Sequence, residues 1–123
     1  MSANFRDLVV WKRAVDLAVE VNAATKSFPK EELFGLTSQM RRSAVSVASN
    51  IAEGQGRLTK GEFLHFLGQA RGSLLELETQ FVIAERSGFL VPDAARELEV
   101  RAEEVSRLLN GLISSLRRTK PET

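Results

Sequence analysis

The polar residues of this 123-residue chain that could do chemistry are concentrated between positions 39 and 80. Arg42, Ser46, Ser49 or Asn50, and Glu53 recur at helical spacing, so they share one ridge of a helix. Arginine offers a planar, permanently charged fork that matches a carboxylate or a phosphate. Two readings follow. In the first, Arg41, Arg42, Asn50, Glu53, Glu76 and Gln80 form a polar network between helices or subunits and set their register. Such a network is stable only when every member is satisfied, which accounts for the set without any ligand. In the second, Arg41, Arg57, Lys60 and Arg71, joined by Lys12 and Arg13, contact phosphate. The loop 54–61 leads directly into a helix start, where free N–H groups favour anions.

Other chemistries are poorly supplied. Glu62 and His65 have the Glu-x-x-His spacing of di-iron bundles, but those sites need two such motifs and His65 is the only histidine. No metal or other cofactor is therefore expected. Gly56 to Gly61 lacks the Gly-Lys-Ser/Thr ending and preceding strand of a phosphate-binding loop. With one histidine and no cysteine, a nucleophile–base arrangement has no candidate, and the reading is of a non-enzyme. Tyrosine is absent and no aromatic-interleaved RNA motif is present, so nucleic-acid binding would be driven by shape and charge.

The formal charge of +1 argues against a polycationic surface, yet its distribution is uneven. From Gly35 to Gly72, Arg41, Arg42, Arg57, Lys60 and Arg71 face only Glu53 and Glu62; from Ser73 to Val91 acids predominate. The absence of cysteine suits a reducing compartment. No apolar run is long enough to span a membrane, and the N-terminus lacks a secretory pattern, so a cytoplasmic location is expected.

Four helical segments must position these residues, over about 7–26, 32–53, 60–87 and 93–117, within a single domain 1–123. Their stripes run Val10, Ala14, Leu17, Val21, Ala24; Leu36, Met40, Ala44, Val47, Ile51; Phe63, Leu67, Ala70, Leu74, Leu77, Phe81, Ala84; and Leu98, Ala102, Val105, Leu109, Leu112, Leu116. Phe28-Pro29 ends the first helix and Gly54-Gln55-Gly56 the second, as a left-handed cap. Thr59 and Glu62 fit a capping box at the start of the third, Ser87-Gly88 stops it, and Pro92 opens the fourth. Residues 120–123 read as a tail. Short connections and seven-residue apolar spacing predict an all-α, antiparallel up-and-down four-helix bundle.

A second apolar set (Trp11, Leu64, Phe66, Leu75, Val82, Ile83, Leu108, Ile113) exceeds what one core requires and points to self-association. Gly68 and Gly72 mark a line on the third helix where another backbone is expected to pack closely.

Gln39-Met40-Arg41-Arg42, Ser46, Asn50-Ile51-Ala52-Glu53-Gly54, Arg57, Phe66-Leu67 and Ala70 to Gln80 together resemble the four-helix-bundle proteins encoded in intervening sequences of bacterial 23S rRNA genes, also labelled the S23 ribosomal protein family. The opening Phe5-Arg6-Asp7-Leu8-Val9-Val10-Trp11 and the Phe28-Pro29-Lys30-Glu31-Glu32 turn are similar to that family's start and first loop. The resemblance implies a ring-shaped homopentamer. It also relates the chain to the accessory protein of diversity-generating retroelements, which is similar in fold, is basic, and binds nucleic acid and a reverse transcriptase. A non-catalytic, nucleic-acid-associated protein with RNA as partner is thus the leading expectation. The alternative is a structural or protein-interaction scaffold that binds a protein partner and no nucleic acid.

Overall fold

The computed structural model describes residues 4–119. Among them, four helices form, α1 (Val9–Thr25), α2 (Leu36–Gln55), α3 (Lys60–Arg86) and α4 (Pro92–Arg118), with 3-10 turns at Phe5–Asp7 and Lys30–Glu32 and no strand. The expected tail at 120–123 lies outside the described residues. No helix among them is long and apolar enough to cross a membrane.

Each helix packs against two others: α1 and α3 both lie against α2 and α4. The apolar stripes explain this arrangement, because residues three and four apart share one face. Leu17, Val21, Met40, Val47, Ile51, Leu67, Leu74, Leu77, Phe81, Val105 and Leu109 are fully enclosed in one core. Removing each such side chain from water contributes about 1.5–3 kcal/mol. On α4 the stripe ends differently from expectation. Ile113, assigned to the surplus set, is buried, whereas Leu112 and Leu116 are only half-buried. Phe28 does more than stop α1: it is buried, and its ring lies 5.6 Å from that of Phe89, closing one end of the core.

The helix ends combine expected and unexpected chemistry. Thr59 Oγ1 accepts from Glu62 N–H at 3.1 Å, so the Thr59 half of the expected capping box forms. After α3, Gly88 has φ +82°, which glycine adopts at no steric cost. Phe89 N–H then reaches Ala84 C=O (2.9 Å) and Gly88 N–H reaches Glu85 C=O (3.0 Å), the paired bonds of a Schellman ending.

The glycines after Glu53 contradict the left-handed cap. Gly54 lies inside α2, and Gly56, in right-handed geometry (φ −82°, ψ −2°), donates to the carbonyls of Ala52 and Glu53. Gly54 serves packing: a Cβ there would sit 2.9 Å from Phe66 Cβ and 3.2 Å from the Phe63 carbonyl oxygen. Gly68 and Gly72, by contrast, have nothing within 4 Å of an added Cβ. The close approach within the subunit therefore occurs at Gly54.

Candidate nucleic-acid interface

Of the six residues expected to form one polar network, only Arg42 and Glu76 share a recess, and no direct bond links any two of the six. Arg41, near the start of α2, turns toward α1, where its Nε donates to Thr25 Oγ1 at 2.9 Å. Thr25 is buried at the end of α1, and its hydroxyl in turn reaches Val21 C=O at 2.9 Å. One bond thus pairs the Nε–H of a half-buried guanidinium and ties α1 to α2. Halfway along α2, Asn50 Nδ2 donates to Ser46 C=O (2.9 Å) and Ser46 Oγ (3.0 Å), and Ser46 Oγ meets Ser73 Oγ of α3 at 2.9 Å. This seam joins α2 to α3 through uncharged groups, and it brings in Ser73, which was not among the six.

Arg42 and Glu76 line a shared recess with Gln39, Ser43, Ser46 and Ser73, without a direct bond between the two charges. Glu53 is exposed and pairs with Arg57 at 3.8 Å. Gln80 is buried on α3, and its Oε1 has no hydrogen-bond partner among the described residues.

The phosphate-binding candidates separate along the length of the helices. Lys60 Nζ, at the start of α3, donates to the backbone oxygen of Thr119 at 2.6 Å and to its hydroxyl at 3.0 Å, holding the end of α4 beside the α2–α3 turn. Arg71 reaches Asn110 of α4 at 3.3 Å. Phe5 and Trp11 share a recess with Ser49 and Ala52, which brings the start of α1 to the same end. Arg57 projects there with its guanidinium 4.5 Å from the Phe66 ring centre. Arg13 pairs with Asp16 and Glu104, each at 3.5 Å, and Lys12 is exposed one position earlier. Exposed pairs of this kind contribute at most about 1 kcal/mol and exchange readily with other anions. Arg41 lies toward the opposite end and is engaged inside the subunit; the other five candidates fall, with separate partners, in the half that holds the α2–α3 turn.

Residues from three separate segments make this end basic. In the half comprising 4–17, 46–73 and 105–119, nine lysines and arginines stand against four acids: Arg6, Lys12, Arg13, Arg57, Lys60, Arg71, Arg107, Arg117 and Arg118 against Asp7, Asp16, Glu53 and Glu62. The remaining described half, 18–45 and 74–104, carries seven cations and eleven acids. There Glu78 is held above the usual carboxylate range, first by burial and then by the charges of Glu103 and Glu99. Arg6, Arg107, Arg117 and Arg118 were missed as site candidates because they lie outside the segment where sequence charge was locally biased.

His65 is exposed, 3.3 Å from Gln69 and edge-on to Phe66. Among the described residues, no three or more histidine or acidic side chains converge as metal ligands.

Four long helices around one core, joined by short polar seams and charged differently at their two ends, define a small all-helical protein. It belongs to the 23S rRNA-intervening sequence protein family, whose model matches residues 6–111. Among solved structures it is similar to a protein of unknown function from the S23 ribosomal protein family of Bacteroides thetaiotaomicron. That likeness has a TM-score of 0.80 at 21% identity, over 86% of this chain and 96% of the other. At that identity it is a likeness of fold. No curated protein sequence matches the chain.

Proposed function

We propose that this chain is a non-catalytic, cytoplasmic, RNA-associated member of its family: a single-domain, antiparallel up-and-down bundle that self-assembles into a ring. The five-membered ring is the one its family resemblance implies. The observation that carries the RNA reading is the segregation of charge, nine cations against four acids in one half of the subunit. Neutralising phosphates releases condensed counterions, so a compact basic end supplies affinity without base recognition. Arg57, Arg117 and Arg118 are exposed there, and Lys12 and Arg13 extend the surface along α1. Lys60 supports it by tying the α4 terminus in place. In a ring these ends would recur with the symmetry and act together by avidity.

Fluorescence anisotropy with a structured RNA tests this. Affinity is expected to fall steeply between about 50 and 200 mM salt. Arg57→Gln combined with Arg117→Glu and Arg118→Glu should weaken binding on the order of tenfold or more, while Arg86→Gln with Arg96→Gln should not. Absence of any salt-sensitive binding to structured RNA or duplex DNA at low ionic strength would sink the reading. That result would favour the scaffold alternative, which the exposed apolar recess between α1 and α2 supports.

A further inference from the structure

Two apolar surfaces on different sides of the subunit remain uncovered. The first is a recess of about 580 Å³ between α1 and α2, lined by Phe5, Trp11, Val15, Val19, Val45 and Ala48 among others. Val19 and Val45 at its mouth are 61% and 55% exposed. The second is a ridge on α3: Leu75, Val82 and Ile83 are 61%, 43% and 48% exposed. Beside the ridge, Gly68 and Gly72 present bare helix backbone with nothing above it. Each mid-helix glycine costs about 1 kcal/mol relative to alanine, a cost that no contact inside the subunit explains.

The balance of charge around the two surfaces differs. Arg41 lines the recess and Arg42 adjoins it beside Val45. Lys12 and Lys26 fall at helical spacing from Val15 and Val19 on the same side of α1. The neighbouring acids, Asp16 and Glu53, are already paired with Arg13 and Arg57. Around the ridge acids outnumber bases. Glu78 of α3 has Glu99 and Glu103 acting on it from α4, and Glu76 lies on the α2 side, where it shares a recess with Arg42. Against them stand Arg71, one turn before Leu75, and Arg86 toward the far end.

We propose that the α1–α2 recess of one subunit receives the Leu75–Val82–Ile83 ridge of a second copy of this chain. The inference rests on the self-assembly reading above and adds the two faces that meet. A recess meeting another recess would bring Arg41, Arg42 and Lys26 of both copies together. A recess meeting a ridge places Arg41 and Lys26 against a surface where acids predominate. Because the two faces differ, the contact is head-to-tail, and successive copies close into a ring when the rotation between them permits.

Sedimentation of the full chain with single-face variants tests this. Val19→Glu with Val45→Glu blocks the recess; Leu75→Glu with Ile83→Glu blocks the ridge. All four positions are exposed, so circular dichroism should show unchanged folding, and the single variants Val19→Glu and Ile83→Glu serve if a double variant unfolds. Each blocked protein is expected to sediment as a 13.6 kDa monomer. Mixed together, they should form a 1:1 dimer, since one retains an intact ridge and the other an intact recess. A ridge-blocked protein that still assembles like the parent, or a mixture that stays monomeric, overturns the head-to-tail contact while leaving self-assembly standing. A parent chain that is itself monomeric up to concentrations of about 100 μM overturns both.

Discussion

Gly54, in the last turn of α2, and the pair Gly68–Gly72, in the middle of α3, are the same residue type within helices, yet they do opposite things. Gly54 is buried where α2 crosses the start of α3, and Phe63 and Phe66 occupy the space a side chain would need. Gly68 and Gly72 face outward from α3 with open space above them. The first glycine is required by the neighbouring helix; inside the subunit, the other two are required by nothing. Glycine in a helix therefore signals close approach only when something stands opposite, and that depends on which face of the helix it occupies.

The largest expected effect in this comparison is at Gly54. Gly54→Ala adds a Cβ 2.9 Å from Phe66 Cβ, a position that cannot swing aside because it is the root of its side chain. The expected loss is about 2 kcal/mol in urea unfolding, in spite of alanine's better helix propensity. A neutral or stabilising result would show that the two helices separate freely there.

A second test takes the opposite sign. Gly68→Ala and Gly72→Ala should each stabilise the isolated subunit by up to about 1 kcal/mol. Measured in a background with the recess blocked, so that assembly does not contribute, the gain isolates the intrinsic helix term. Destabilisation in that background would mean that the outer line of α3 is packed within the subunit after all.

The smallest expected effect lies at Glu78, in the acidic half. Its carboxyl titrates above the ordinary range because burial and then Glu103 and Glu99 oppose its charge. The folded state thus holds this proton more tightly than the unfolded chain, and this group's contribution to stability declines as pH rises through that window. Glu78→Gln should give a slightly higher Tm at pH 7, with the gain vanishing below the usual carboxylate range. An equal gain at every pH would assign the effect to packing.

Much of the core was legible from periodicity. Leu17, Val21, Met40, Val47, Leu67, Leu74 and Phe81 are buried where a seven-residue spacing places them, because helix geometry converts that spacing directly into one face. The terminating role of Ser87-Gly88 was also legible, since a left-handed ending is a local demand that glycine meets. The polar partners were harder to see. Charge and spacing place Arg41 in a polar network or on a phosphate, but its partner within the subunit is the Thr25 hydroxyl, sixteen residues away. Ser73 stands opposite Ser46, a pairing that spacing does not reveal, because a lone serine in a helix has no sequence signature.

By itself, the sequence determined the helices, the faces they bury and the family to which the chain belongs. These follow from spacing and short motifs, which act within a few turns of one segment. Only the tertiary structure decided that Gly54 is a packing glycine, that Lys60 holds Thr119 from fifty-nine positions away, and that cations from three segments gather at one end. The physical reason is that contact and electrostatic potential depend on distance in space. A nearly neutral chain becomes basic at one end and acidic toward the other only after folding has brought its separated charges together.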